Sequence, residues 1–304
     1  MYEHHWRLTE NPFGEIAGER FFHAAPSHAE GLARLAHLIG QRRNGGCLVG
    51  PHGIGKSMLL QLALAHTPDE NRRVVRLSAG PGDALSLARR IGERLGASPD
   101  ADDLPEAMLN IERACHAGLL PATIVIIMDD AQNFRDTAAF DALHFAASTL
   151  EACARTPTLI LAGTEPLISN LASSSAIAQR MQLTWRLAPL TLSETTSYVS
   201  LRLAAAGNRS EVFDQGATYL LYEKSRGIPR IINHLSDLAL LHGFHAGAAR
   251  IDQSLMQRAI AEHSGPAPVI SAAMREPHAA PSVTETKPAA EKEAVPVAEE
   301  YVWE

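Results

Sequence analysis

Short strand-like segments alternate with stretches of helical periodicity along the first part of the chain. Four segments, "CLVG", "RRVVRLS", "TIVIIMDD" and "TLILAG", predict β-strands, and the continuous apolar run of the third is typical of a strand buried on both faces. Between them, apolar residues recur at helical spacing, as at Leu87, Ile91 and Leu95. This alternation predicts an α/β fold in which helices cover both faces of a parallel sheet.

After about residue 190 the strand segments stop and only helical patterns follow. Four helices are predicted there, in "TLSETTSYVSLRLAAAG", "SEVFDQGATYLLYEKSRG", "IPRIINHLSDLALLHGF" and "DQSLMQRAIAEH". Thr191 and Glu194 have the spacing of a capping box, Pro229 suits the first turn of the third helix, and Asp252 suits the cap of the fourth.

These patterns divide the chain into three parts. We predict an α/β nucleotide-binding domain over 1–190, a small all-helical lid domain over 191–263, and a tail over 264–304. The tail is rich in Pro, Ala and Glu and lacks apolar periodicity, so it cannot bury enough surface to offset the entropy of ordering. We therefore predict that the tail is disordered and acidic.

Composition narrows the classes of protein. The net charge of the 304 residues is -7, so no global positive field favours nucleic acid, although a local basic face stays open. Cys47, Cys115 and Cys153 show no CxxC pairing, which favours buried, reduced thiols. No apolar run is long enough to span a membrane, and the N-terminus lacks a signal layout. We expect a soluble, cytoplasmic protein without a structural metal site.

The segment "GPHGIGKS" carries the strongest chemical signal. It has the pattern of a phosphate-binding loop, in which four residues separate Gly50 from the consecutive Gly55, Lys56 and Ser57. Gly53 and Gly55 let the backbone N–H groups turn inward around phosphate oxygens, Lys56 would neutralise the β- and γ-phosphates, and the Ser57 hydroxyl would ligate Mg²⁺. The predicted nucleotide-binding residues of this region are Gly50, Pro51, His52, Gly53, Ile54, Gly55, Lys56, Ser57 and Met58.

Two carboxylates end the third predicted strand. A buried strand that ends in Asp129 and Asp130 is costly unless a cation lies there, and Mg²⁺ is the natural partner. Asp129 is predicted to hold the metal through water, and Asp130 to polarise the attacking water as a general base. The alternative is that the two acids cap the turn "DDAQNF".

Four further residues are candidates for catalysis. Thr164 follows the fourth predicted strand, where it would position the lytic water or cap the helix "EPLISNLA". Arg180 and Arg186 would reach a γ-phosphate, in the same chain or a neighbouring one, or else lie on the surface. Arg230 is the stronger candidate because it lies in the first turn of a helix, where the helix dipole disfavours a cation unless a phosphate is bound.

In these residues the chain resembles an AAA+ ATPase, and more narrowly the ExeA/GspA-type ATPases of general secretion and pilus systems. The resemblance covers about residues 1–263, in "NPF" with "RFFHAAPSHAEGLARL", "GPHGIGKS", "IIMDDAQ", "LILAGTEPL", "RMQLTWRLAPLTLSET" and "GIPRIIN". The same core resembles transposition regulators of the TnsC/TniB kind, which form filaments on DNA. The resemblance implies a P-loop fold with a helical lid, with ATP and Mg²⁺ as ligands.

Residue roles also follow from this resemblance. Asp129 matches the Walker B aspartate and Asp130 the catalytic acid, although the family usually has Glu at that place. The other matches are Thr164 with sensor one, Arg180 with the arginine finger, Arg230 with the sensor-two arginine, and Phe13, in "NPF", with a residue near the adenine.

The implied function is a Mg²⁺-dependent ATPase that assembles into a homo-oligomeric ring or filament and acts on an unidentified protein partner of a secretion, pilus or polysaccharide-export machine. The secretion members carry a membrane span and often a wall-binding domain, and this chain shows neither. The alternative is an ATP-gated scaffold on DNA, which the net charge of -7 does not favour.

Overall fold

The computed structural model describes residues 2–14, 18–80, 82–134 and 137–263, and these fall into one compact unit. The predicted disordered tail, 264–304, lies outside the described residues. No helix in the described ranges has the length and apolarity needed to cross a membrane.

Five parallel strands form the sheet, in the order β2–β3–β4–β1–β5. The strands are β1 (Gly45–Val49), β2 (Arg72–Ser78), β3 (Thr123–Asp129), β4 (Thr156–Gly163) and β5 (Leu183–Arg186). The prediction of a parallel α/β sheet is therefore confirmed. No prediction covered β5, because its four residues alternate between half-buried and exposed and form no apolar run.

Twelve α-helices accompany the sheet in the described residues. They are α1 (Tyr2–His5), α2 (Pro26–Gly40), α3 (Lys56–Ala65), α4 (Ala84–Leu95), α5 (Leu104–His116), α6 (Thr137–Ala152), α7 (Pro166–Ala172), α8 (Ser175–Arg180), α9 (Leu192–Ala205), α10 (Gln215–Ser225), α11 (Pro229–His245) and α12 (Gln253–Glu262).

Helix caps explain several of these boundaries. The predicted capping box is confirmed at α9, where Thr191 and Glu194 bond each other's backbone N–H groups. Asp252 caps α12 as predicted, by accepting the N–H of Leu255. The start of α10 was predicted too early, because Asp214 is its cap and accepts the N–H of Ala217.

Successive side chains of β3 enter two different cores. Ile124, Ile126 and Met128 pack in a cluster with residues of α4, α5 and α6, while Val125 and Ile127 pack in a second cluster with residues of α2 and α3. All five side chains are fully buried. This two-sided burial is the physical reason for the continuous apolar run in "TIVIIMDD".

A third core joins the N-terminal segment to the C-terminal helices. Trp6 lies in this cluster with residues of α9, α10, α11 and α12, and its indole N–H donates to the carbonyl of Leu240 at 2.9 Å. Residues 2–8 therefore pack with the predicted lid, although the sequence pattern assigned them to the α/β part. The division of the chain at residue 190 stays a prediction, since the described residues form one unit.

A glycine makes the closest approach between the helical part and the segment that follows the sheet. Gly227 has φ +72°, and a Cβ placed there would lie 1.9 Å from the carbonyl oxygen of Leu190. The Leu190 N–H also donates to the Gly227 carbonyl at 2.9 Å. This approach fixes the start of α11, which carries Arg230.

Replacing Gly227 with Ala is therefore expected to be costly. Left-handed strain and the clash with Leu190 together predict a loss of about 3 kcal/mol in the free energy of unfolding, measured by urea denaturation. Gly247→Ala is the matched control, since Gly247 has φ +63° and a Cβ placed there would meet no atom of the described residues within 4 Å. The control should lose about 1 kcal/mol, and equal losses in the two variants would show that the approach to Leu190 does not matter.

Candidate functional site

The sheet gathers the predicted site residues at the carboxyl ends of neighbouring strands. The loop begins at Gly50, directly after β1, and β4 is hydrogen-bonded to β1 on one side and to β3 on the other. Asp129 is the last residue of β3, and Thr164 follows the last residue of β4. Ligands of open parallel sheets bind at this end of the strands.

Two loop carbonyls are held by donors from outside the loop. The backbone N–H of Arg230, in the first turn of α11, donates to the Gly53 carbonyl at 3.1 Å. The Nε2–H of His28, on α2, donates to the Ile54 carbonyl at 2.9 Å. Both carbonyl oxygens therefore point away from the inside of the loop.

The loop amide groups remain available for a ligand. Gly53 and Gly55 have φ +78° and +110°, conformations that favour glycine. Within the described ranges, no acceptor is paired with the N–H groups of His52, Gly53 or Gly55. A set of free N–H groups just before a helix is the arrangement that binds phosphate oxygens.

Lys56 is buried beneath the loop. Its ammonium group donates to the carbonyls of Gly50 at 2.8 Å and Pro51 at 3.1 Å, and the residue is 7% exposed. Burial lowers the pKa of Lys56, while the charges of Asp129 and Asp130 oppose that shift. The cation is therefore poorly compensated, and an added anion would stabilise it.

His28 is a positioning residue that the sequence pattern did not single out. It is 5% exposed, and burial lowers its pKa, against the hydrogen bond to Ile54 and the charge of Glu194. A neutral imidazole therefore supports the loop from the α2 side. A histidine near the start of an amphipathic helix carries no local signal that would have revealed this role.

Ser57 and Asp129 meet at the mouth of the loop. The Ser57 hydroxyl donates to Oδ2 of Asp129 at 2.9 Å, although the two residues are 72 positions apart. The guanidinium of Arg76, on β2, donates to the same oxygen at 3.0 Å. A hydroxyl and a carboxylate are ligands that Mg²⁺ prefers, so this pair fits the metal. Arg76 was not predicted.

Asp130 and Thr164 are linked through Gln132. The Oε1 of Gln132 accepts the N–H of Thr164 at 3.0 Å, and its Nε2 lies 3.5 Å from Oδ1 of Asp130. Asp130 has a left-handed backbone, with φ +53°, and its side chain makes no cap hydrogen bond to the short turn that follows. Gln132 therefore ties the end of β3 to the end of β4.

The alternative role of Thr164, as a helix cap, is not seen. Helix α7 begins at Pro166, and its cap position is Glu165 rather than Thr164. The side chain of Thr164 is therefore free of that task, and its catalytic role stays a prediction.

Arg180 lies within a network of its own chain. It is 9% exposed, and its guanidinium pairs with both carboxylate oxygens of Glu151 at 2.6 and 2.8 Å. Nε contacts Nδ1 of His144 at 3.1 Å, and Nη2 contacts the Ser148 hydroxyl at 2.8 Å. The structure thus gives Arg180 a role in fixing α8 to α6, and a role at a neighbouring chain's phosphates stays a prediction.

Phe13 lies in the core of the N-terminal segment and the C-terminal helices. It is buried, and its ring makes an edge contact with Phe213 at 6.3 Å between centroids. Its described ring contact is therefore with the helical part, and proximity to an adenine stays a prediction. Of the other predicted binding residues, His52 is exposed and Met58 is half-buried.

Residues 39–171 match the family described as "AAA domain". This stretch of the chain is similar to an AAA domain. It holds the loop, both carboxylates and Thr164. The chain is also similar to general secretion pathway protein A of Aeromonas hydrophila, with 27% identity over 271 residues. The match covers 87% of this chain and 49% of that protein, so the chain spans about half the length of its relative. The predicted resemblance to the ExeA/GspA-type ATPases is confirmed.

Solved structures support the AAA+ fold beyond the matched domain. Cdc6p of Pyrobaculum aerophilum has a TM-score of 0.68 at 15% identity, covering 84% of this chain and 71% of that chain. The ORC2 protein of Aeropyrum pernix has a TM-score of 0.65 at 12% identity, covering 83% and 71%. RuvB of Thermotoga maritima has a TM-score of 0.52 at 18% identity, covering 77% and 68%.

The Arg180 network predicts a measurable coupling. Arg180→Ala should lower the free energy of unfolding by about 2 kcal/mol, since it leaves Glu151 without its cation. A double-mutant cycle with Glu151→Ala should give a coupling of about 1 kcal/mol in thermal or urea unfolding.

The exposed pair Arg250 and Glu211 is the matched control, with side-chain exposures of 57% and 59%. Its cycle should give only a few tenths of a kcal/mol. Additive losses for Arg180 and Glu151 would refute a structural role for this pair.

Proposed function

We propose that this chain is an ATPase that binds ATP and Mg²⁺ at the loop from Gly50 to Ser57. The observation that carries the proposal is the loop itself, whose Gly53 and Ile54 carbonyls are bonded from outside while neighbouring N–H groups have no acceptor in the described ranges. A chain of phosphate groups would satisfy those N–H groups and the buried Lys56 together.

Ser57 and Asp129 would hold the metal. When bound, Mg²⁺ would neutralise charge that develops on the phosphate oxygens during transfer. Lys56 would exchange the carbonyls of Gly50 and Pro51, at 2.8 and 3.1 Å, for phosphate oxygens. A charge-assisted bond to phosphate is stronger than a bond to a neutral carbonyl, which favours the exchange.

Asp130 would act as the general base. Its carboxylate would accept a proton from water as the water oxygen bonds to the γ-phosphorus, and the bond from that phosphorus to the bridging oxygen would break to give ADP and phosphate. Gln132 would hold Asp130 and Thr164 in register across the two strand ends, through contacts of 3.5 and 3.0 Å.

Arg230 would couple the nucleotide to the helical part. A Cβ on Gly53 would lie 2.6 Å from the Cβ of Arg230, so the loop and the start of α11 are in close contact. A change of nucleotide would therefore move α11 and the helices packed on it. We propose that the chain works as a cytoplasmic homo-oligomer, since ATP is a cytoplasmic substrate, and that it remodels a protein partner of a secretion, pilus or polysaccharide-export system.

A second candidate is an ATP-gated scaffold on DNA. The exposed arginines Arg76 and Arg90, near the end of β2, are the observation that favours it. Duplex DNA binding that requires ATP and weakens steeply with salt would replace the first proposal with this one.

Removing the loop lysine tests nucleotide binding. Lys56→Ala should weaken ATP binding at least about a hundredfold, because a buried charge-assisted contact to phosphate is lost. Equilibrium binding of a fluorescent ATP analogue would measure it. Lys224→Ala, at an exposed lysine on α10, is the matched control and should bind like the parent. Unchanged affinity in Lys56→Ala would remove the loop from the site.

A further inference from the structure

The carboxylate of Asp129, which is proposed to hold the metal, is already paired with the guanidinium of Arg76. Oδ2 of Asp129 accepts from the Ser57 hydroxyl at 2.9 Å and from Nη2 of Arg76 at 3.0 Å. Because both donors use one oxygen, the guanidinium lies beside the Ser57 hydroxyl, where the proposed metal would bind. Arg76 therefore compensates the negative charge of Asp129, which Mg²⁺ would otherwise have to neutralise.

Because Asp129 is largely buried, its carboxylate is stabilised by a cationic partner whether or not the metal is bound. The Asp129 side chain is 13% exposed, and a carboxylate in such a place is costly without a partner. Lys56 does not serve it directly, since its ammonium group is engaged by the Gly50 and Pro51 carbonyls. Arg76 is the ion-pair partner that the described residues give to Asp129.

Arg76 is placed so that its side chain can exchange partners. Its backbone is fixed in β2, in register with Ile127 of β3, while its side chain is 40% exposed. A second positive charge near Oδ2 would repel the guanidinium, so we expect metal binding to weaken the contact between Arg76 and that oxygen. The guanidinium would stay tethered to β2, which pairs with β3 up to Asp129.

We propose that Arg76 acts as a built-in cation of the nucleotide site, holding Asp129 before the metal arrives and supporting nucleotide phosphates when no metal is present. This inference rests on the proposed ATP site. The inference has a specific consequence for affinity. With Arg76 present, metal-free nucleotide should bind more tightly than it would without the arginine, and Mg²⁺ should raise the affinity by a smaller factor.

The test compares nucleotide affinity with and without metal. A fluorescent ADP analogue is titrated into the parent protein and Arg76→Ala, in excess EDTA and in excess Mg²⁺. The ratio of the two dissociation constants, EDTA over Mg²⁺, should be at least about fivefold larger in Arg76→Ala than in the parent. Compared with the parent, Arg76→Ala should bind the ADP analogue more weakly in EDTA, and equally or more tightly in Mg²⁺.

Matched variants separate the charge from other effects. Arg73→Ala removes another arginine of β2, whose Nη1 contacts the carbonyl of Arg94 at 3.3 Å, and should leave the ratio unchanged. Arg76→Gln keeps a long polar side chain without the charge and should behave like Arg76→Ala. Circular dichroism would verify that each variant is folded.

Two outcomes overturn the inference, and they differ. If the parent binds the analogue and the ratio is the same in Arg76→Ala, Arg73→Ala and the parent, Arg76 is an ordinary surface ion pair and the ATP site stands. If the parent binds no analogue in either condition, or Lys56→Ala binds as well as the parent, the proposed function fails with it.

Discussion

The phosphate loop keeps its shape through hydrogen bonds to its carbonyl oxygens, two of which come from outside the loop. Arg230 and His28 supply two of these bonds, from α11 and α2, at 3.1 and 2.9 Å. A loop of glycines would otherwise have the largest conformational entropy to lose. The contacts come from the helical part and from the helix layer on the sheet, so both are needed for a site that faces phosphate with N–H groups.

The chain itself supplies partners for the charged side chains of the site. Lys56 donates hydrogen bonds to backbone carbonyls, and Arg76 donates to the carboxylate of Asp129. Burial lowers the pKa of Lys56, which marks the cation as incompletely compensated. Each contact is one that a phosphate or a metal would replace with a stronger one. The site thus favours its proposed ligand.

Local patterns predicted four of the five strands, the loop and the capping box at Thr191, because each depends on residues close in sequence. Ser57 and Asp129 were each predicted to hold the metal, and their hydrogen bond at 2.9 Å agrees with strand ends of a parallel sheet meeting at one edge. His28 and Arg76 were not predicted, because their roles arise from contacts 26 and 53 residues away. Arg180 shows the same limit, as its partners on α6 are distant in sequence.

Phosphate release from Mg-ATP, followed over a series of protein concentrations, tests the central claim most directly. The parent protein should release phosphate, with a rate per chain that rises as the chains assemble. Lys56→Ala and Asp130→Asn should not, and Asp130→Asn should still bind ATP. A parent rate no higher than that of Lys56→Ala at every concentration would contradict the account, since the loop would then support no hydrolysis.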